Sequence, residues 1–328
     1  MEWLTLAFMQ RALLAALITG VTAPAIGTFL VQRRLSLLGD GLGHLAVAGV
    51  GLAFLTGTAP LPMAVAICVL GSIGIEMLRE SGRASGDVGL AILFYGGLSG
   101  GLLLAGLAGQ GAGTLSGYLF GSLLTVSAAD LWVIAGLGIV VLAFTLGLLP
   151  QLFTVSADEP FARSIGLPVR LLNIVVVSLA AITVTVSMRT VGLLLVSALM
   201  VVPVATANHI VIGFRAGLLA SMGLGAVAAL GGTIGSYYLN TAPGSLIVVI
   251  AICLFALSWP LAQLLQGRRR PIIEVADAVE PAMHELAESH PHVHNEHCGH
   301  LSVQHSGHVD YVHDGHRHAA HGDHYDEH

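Results

Sequence analysis

Long apolar runs alternate with short polar links along most of the chain. Nine runs, roughly residues 7–31, 36–57, 61–78, 88–108, 129–149, 169–188, 190–211, 215–236 and 243–265, approach the length of a membrane-spanning helix. About 20 apolar residues are needed, since a rise of about 1.5 Å per residue must cross a hydrocarbon layer of about 30 Å. The first run follows Arg11 as a signal peptide would, but it continues to Val31, too long for a signal's apolar region, and is read as a span. The Gly-rich stretch 109–128 has room for a short interfacial or re-entrant helix. Pro24 and Pro203 lie inside apolar runs and predict kinks.

The links set the orientation. With nine spans, Arg33, Arg34, Arg79, Arg83, Arg163, Arg170, Arg215 and Arg268–Arg270 fall on one side, and only Arg11 and Arg189 on the other. The arginine-rich side is cytoplasmic by the positive-inside rule, so the N-terminus is outside and the C-terminal tail inside. The expected fold is therefore all-α: a polytopic integral membrane protein of about nine transmembrane helices.

Composition sharpens this. Of 328 residues, 55% are hydrophobic and 10% charged, against about 25% charged in soluble domains. There is no lysine, which excludes a Walker A loop and Schiff-base chemistry. Cys68, Cys253 and Cys298 are too scattered for a disulfide framework. Residues 1–270 carry a balance of +4, residues 271–328 one of −10, and fourteen of the 16 histidines lie in the latter. Two domains follow: a membrane domain, 1–270, and an acidic His-rich tail, 271–328. The tail has few large apolar residues and is expected to be disordered.

The strongest chemical signal is RRLSLLGDGLGHLAVAG, residues 33–49. Asp40 and His44 are spaced i, i+4 and share a helix face. Carboxylate and imidazole both ligate divalent transition metals. His44 is ten residues beyond the arginine pair, about 15 Å deep, where an Asp costs roughly 2.5–3.5 kcal/mol. The competing reading is an Asp at a helix end and a His satisfied by a carbonyl. Glu76, beside Arg79, reads as a solvated charge, and Asn208 and His209 as interfacial.

TVSADEPFARSIGLPVR, residues 154–170, reads as a short amphipathic helix with Ser156 or Asp158 as N-cap and Gly166 and Pro168 as terminators. On pattern alone it is a solvated loop or a docking helix. In the tail, His290, His292, His294, His297, Cys298, His300, His313, His316, His318, His321, His324 and His328 are interleaved with carboxylates. Such tracts bind zinc, nickel, cobalt or copper weakly.

Together FMQRALLAALITG, RRLSLLGDGLGHLAVAG, DEPFARSIGLPVRLLN, VSMRTVGLLLVSALMVVPVATA and GSYYLNTAPGSLIVV resemble, in order, the permease subunits of metal-type ABC importers, which take up zinc, manganese or iron. The resemblance covers most of residues 8–265 and leaves the tail out. It implies a bacterial plasma-membrane protein and a permease dimer embedded in lipid. It also implies a separate cytoplasmic ATP-binding subunit, an extracytoplasmic metal-binding protein and no nucleic-acid partner. Asp40 and His44 match the family's paired pathway positions. Ser156, Asp158, Glu159, Phe161, Ala162, Arg163 and Gly166 fall in its ATPase-coupling segment. Gly43 departs from the family, where Ser is common, and so does the order DEPFA.

The expected function is thus the membrane subunit of an ATP-driven divalent-metal importer, not itself an enzyme and without a permanently bound cofactor. The imidazole-rich tail favours zinc as cargo, with manganese or iron as alternatives. A proton-coupled secondary transporter is the competing class.

Overall fold

In a computed structural model of the chain, the described residues are 6–81, 86–110, 112–121, 126–188, 192–193, 196–266, 285–286, 298–305, 308–313, 316–321 and 324–327. They form two compact units, 1–266 and 267–328. The first is helical: α1 (Ala7–Gln32), α2 (Leu38–Thr56), α3 (Pro60–Glu80), α4 (Gly86–Ala91), a π-helical turn (Ile92–Gly96), α5 (Gly97–Leu107), α6 (Ala112–Phe120), α7 (Ala128–Gly147), α8 (Leu149–Ala157), α9 (Glu159–Ser164), α10 (Val169–Ser187), α11 (Val196–Ile210), α12 (Phe214–Leu239) and α13 (Pro243–Gln266).

Among the described residues, eight helical segments are long and apolar enough to cross a membrane, with Val88–Leu107 running from α4 to α5 as one. The predicted run 190–211 is present as α11, of 15 residues. The 109–128 stretch contains α6, whose nine residues are too short to span. Pro24 and Pro203 lie within α1 and α11.

Lipid offers no partner for a backbone polar group, so hydroxyls inside these helices bond to their own carbonyls. Thr28 donates to the Pro24 carbonyl at 2.9 Å, Thr183 to that of Leu179 at 2.8 Å and Ser187 to that of Thr183 at 2.7 Å. Small residues bring the helices together. Pro24 has no N–H to give the Gly20 carbonyl, and that oxygen is met instead by α12, where a Cβ on Gly225 would overlap it. α5 lies as near to α2: a Cβ on Gly97 would come within 2.7 Å of the His44 carbonyl oxygen, and one on Gly51 within 2.5 Å of that of Gly101.

The second unit is an antiparallel sheet of β1 (Glu285–Leu286), β2 (Leu301–His305), β3 (His308–His313), β4 (His316–His321) and β5 (His324–Glu327), in the order β1-β5-β4-β3-β2. The described residues of this unit pair strand to strand. Short strands separated by two residues satisfy their backbone locally, with no large apolar core.

Gly225→Ala is expected to destabilise the α1–α12 contact by about 1–3 kcal/mol, seen as a lowered unfolding temperature in detergent. Gly74→Ala, with nothing within 4 Å of the added carbon, should leave that temperature unchanged or slightly raised.

Candidate metal pathway and coupling segment

Asp40 lies in the first turn of α2 and is half-buried, where a negative charge is favoured by the helix dipole. One turn on, His44 is only 5% exposed. Its Nδ1 is buried and has no hydrogen-bond partner, a condition that costs about 1–3 kcal/mol unless another group meets it. The ring lies against Phe94, centroids 3.9 Å apart and planes at 56°. Phe94 belongs to the π-helical turn, a rare geometry that gathers at functional sites. Nothing in the periodicity of ILFYG signals this; the Phe94–Tyr95 pair in a Gly-rich run is the only hint.

The walls are close. A Cβ on Gly43 would come within 2.8 Å of the Leu193 carbonyl oxygen, so glycine suits this backbone approach. Cys68 of α3 is buried and donates its thiol to the Leu42 carbonyl at 3.4 Å. Among the described residues, no group of three His, Cys, Asp or Glu side chains forms a metal site. If an ion met Asp40 and His44, these two side chains would leave its shell incomplete.

At the arginine-rich end the solvated reading of Glu76 is corrected. Glu76 is 2% exposed, with its carboxylate 2.6 Å from Arg79 and 3.9 Å from Arg33. The cations from α3 and the end of α1 make its burial tolerable. Burial, and after it the Arg79 charge, hold the Arg33 guanidinium below its ordinary pKa, while Glu76 pulls the other way. Next to this cluster, Arg170 pairs with Glu80 at 2.9 Å. An open cavity of about 640 Å³ is lined by Arg79, Glu80, Glu159, Arg163, Arg170 and Asn173, among others. His209 is exposed, as expected of an interfacial residue, and its Nδ1 lies 3.1 Å from the Ser258 hydroxyl.

The predicted coupling helix is α9. Asp158, not Ser156, is its N-cap: its carboxylate accepts from the Phe161 N–H at 2.9 Å. Ser156 belongs to the preceding α8 and is buried. Glu159 and Arg163 pair at 2.6 Å across one turn. Gly166 ends the segment at φ +80°, a left-handed conformation that only glycine adopts without strain. Ala162 is fully buried, whereas Phe161 is 53% exposed. The segment thus anchors by one small residue and presents one aromatic outward.

In the tail, His290, His292, His294, His297 and His328 lie outside the described residues, as do Arg83, Arg189 and Arg268–Arg270. Cys298 and His300 precede β2, His313 ends β3, His316, His318 and His321 lie on β4, and His324 opens β5.

Residues 5–261 match the family model described as the ABC 3 transport family. The chain is 32% identical over 255 residues to the manganese import system permease protein ScaB of Streptococcus parasanguinis, covering 78% of this chain and 91% of that protein. It is 31% identical over 259 residues to the manganese transport system membrane protein MntC of Halalkalibacterium halodurans, covering 79% and 88%. Among solved structures, PsaBC from Streptococcus pneumoniae in complex with Fab superposes with a TM-score of 0.73 at 29% identity, over 81% of this chain and 98% of that one. The spanning helices and these matches define a membrane transport subunit. The chain belongs to the ABC 3 transport family: it is a permease of an ABC metal importer, a multi-pass protein of the bacterial inner membrane.

Glu76→Gln leaves Arg33 and Arg79 facing each other without their shared anion. A loss of about 3–5 kcal/mol is expected, measurable as reduced thermal stability in detergent, with partial recovery in Glu76→Gln/Arg33→Met.

Proposed function

We propose that this permease passes a divalent transition metal through a site at Asp40 and His44, and that manganese fits the cargo better than zinc. The observation that carries the site is the buried, unpartnered Nδ1 of His44 one turn from a half-buried carboxylate. A carboxylate with a single imidazole is a mixed ligand set that suits manganese as well as zinc. The names of ScaB and MntC, both manganese permeases, tip the choice. The case for zinc rests on the tail, which lies beyond the family match at 5–261.

Two ligands hold an ion loosely enough to release it, and water or a neighbouring group completes the shell during passage. Entry is from an extracytoplasmic metal-binding protein. Energy comes from a separate ATP-binding subunit, which grips α9 through the exposed Phe161 and the charges of Glu159 and Arg163 on the cytoplasmic face. Two permease subunits, read as identical, complete the transporter. The family match supports this reading over a proton-coupled secondary transporter.

The test is radioactive manganese uptake in cells lacking their own importer, with the chain expressed beside its ATP-binding and metal-binding partners at matched membrane levels. Asp40→Ala/His44→Ala is expected to lower uptake by more than roughly tenfold, and truncation after Arg270 to preserve it. Normal uptake by the double variant would refute the site, and zinc uptake without manganese uptake would refute the cargo. Phe161→Ala, at an exposed position, should leave the permease folded yet weaken co-purification of the ATP-binding subunit.

A further inference from the structure

A histidine that ligates a metal is ordinarily aimed by a hydrogen bond. The ring nitrogen that does not meet the ion donates to a carboxylate or a carbonyl, which fixes both orientation and tautomer. His44 lacks that device. Its Nδ1 is buried and has no hydrogen-bond partner among the described residues. The ring is met instead by Phe94, with centroids 3.9 Å apart and planes at 56°. Aromatic pairs usually stand about 4.5–7 Å apart, so this contact is tight. It leaves the imidazole little room to turn about its Cβ–Cγ bond while the phenyl ring stays in place.

The π-helical turn explains how Phe94 comes to be there. It joins α4 to α5. On its C-terminal side, α5 is fixed to α2 by backbone. A Cβ on Gly97 would come within 2.7 Å of the His44 carbonyl oxygen, and one on Gly101 within 2.5 Å of the Val47 carbonyl carbon. Further back, Leu90 and Leu93 flank Gly41: a Cβ there would lie 3.4 Å from the Leu93 Cβ and 3.7 Å from the Leu90 Cδ2. Gly41 and His44 are three residues apart and so lie on neighbouring parts of one face of α2. Two adjacent residues, Leu93 and Phe94, therefore both reach α2, one at Gly41 and the other at His44. In a regular α-helix adjacent side chains diverge by about 100°. The wider i→i+5 closure of the π-turn lessens that divergence and lets both point the same way.

We propose that Phe94 is a positioning residue for the transported metal: its ring holds the His44 imidazole in the orientation from which it meets the ion. This rests on the Asp40/His44 reading and gives the turn between α4 and α5 a part in it. Phe94 carries no ligand atom and acts through His44. A ring aimed by contact rather than by a hydrogen bond keeps both tautomers open. An ion is then taken up and released without breaking a hydrogen bond at Nδ1.

The test uses the full-length permease purified in detergent with its ATP-binding subunit, and Mn²⁺ as the probe. Nitrogen modulation in the pulsed EPR spectrum of bound Mn²⁺ reports imidazole ligation, and the part that His44→Ala removes belongs to His44. Equilibrium dialysis gives the affinity. Phe94→Leu and Phe94→Met fill the space without a ring. Each is expected to weaken the His44-dependent binding by about tenfold and to lower its nitrogen modulation. Phe94→Tyr keeps the ring and should keep both. In the His44→Ala background, Phe94→Leu should change nothing further. A His44-dependent signal and affinity that survive Phe94→Leu and Phe94→Met would overturn the part given to Phe94 and leave the Asp40/His44 site standing. A wild-type signal that His44→Ala does not lower would overturn that site, and with it the part given to Phe94. Weakening that Phe94→Tyr shares, or that persists without His44, would mean loosened packing and overturn the role of the ring.

Discussion

The distance between α2 and its neighbours is the constraint on which the membrane domain depends. In lipid, apolar surface gives helices no reason to prefer one another over solvent, so close packing and backbone approach have to hold the bundle. Gly97 and Gly51 allow α5 to lie on α2 with almost no side chain between them, and Gly43 does the same for the Leu193 carbonyl. His44 is buried because these backbones close around it. The same approach seats the π-helical turn and Phe94 beside the imidazole. A polar pair that would be costly on an isolated helix is here enclosed by neighbouring backbone.

The two ends of the membrane domain handle charge differently. At the start of α2, Asp40 is half-buried and, one turn on, the buried Nδ1 of His44 has no hydrogen-bond partner. At the arginine-rich end, Glu76 is satisfied by two cations, and Glu80 and Arg170 tie α3 to the start of α10 beside α9. On the proposed function, the unmatched imidazole would mark the place of exchange, and the matched charges would fix the frame against which a docking segment is pulled.

Much of this is legible along the chain because lipid reduces the choices. Apolar length alone predicts nine spans, of which eight appear as spanning helical segments among the described residues, and the i, i+4 spacing puts Asp40 and His44 on one face of α2. Other features depend on contacts far apart in sequence. Glu76 reads as solvated because its neighbour Arg79 is an exposed kind of residue, while the burial comes from Arg33 on another helix. Ser156 and Asp158 are equally good caps by type, and only the break between α8 and α9 selects Asp158. Phe94 is one aromatic among many apolar residues until the π-helical turn points to it.

From residue 297 the tail is four octapeptides, HCGHLSVQ, HSGHVDYV, HDGHRHAA and HGDHYDEH, each opening with two histidines three positions apart, and this period bears on how the tail can change over generations. A tandem array of eight-residue units is prone to gain or lose whole units by replication slippage, and each such event preserves the reading frame and the strand-and-turn pattern. The register also makes the outcome depend on parity. One unit more or fewer changes the number of histidine turns at one end of the meander only, and two units restore the balance between ends. Related chains that differ in tail length would therefore differ in steps, in which end carries more histidine turns, while the membrane domain stays the same.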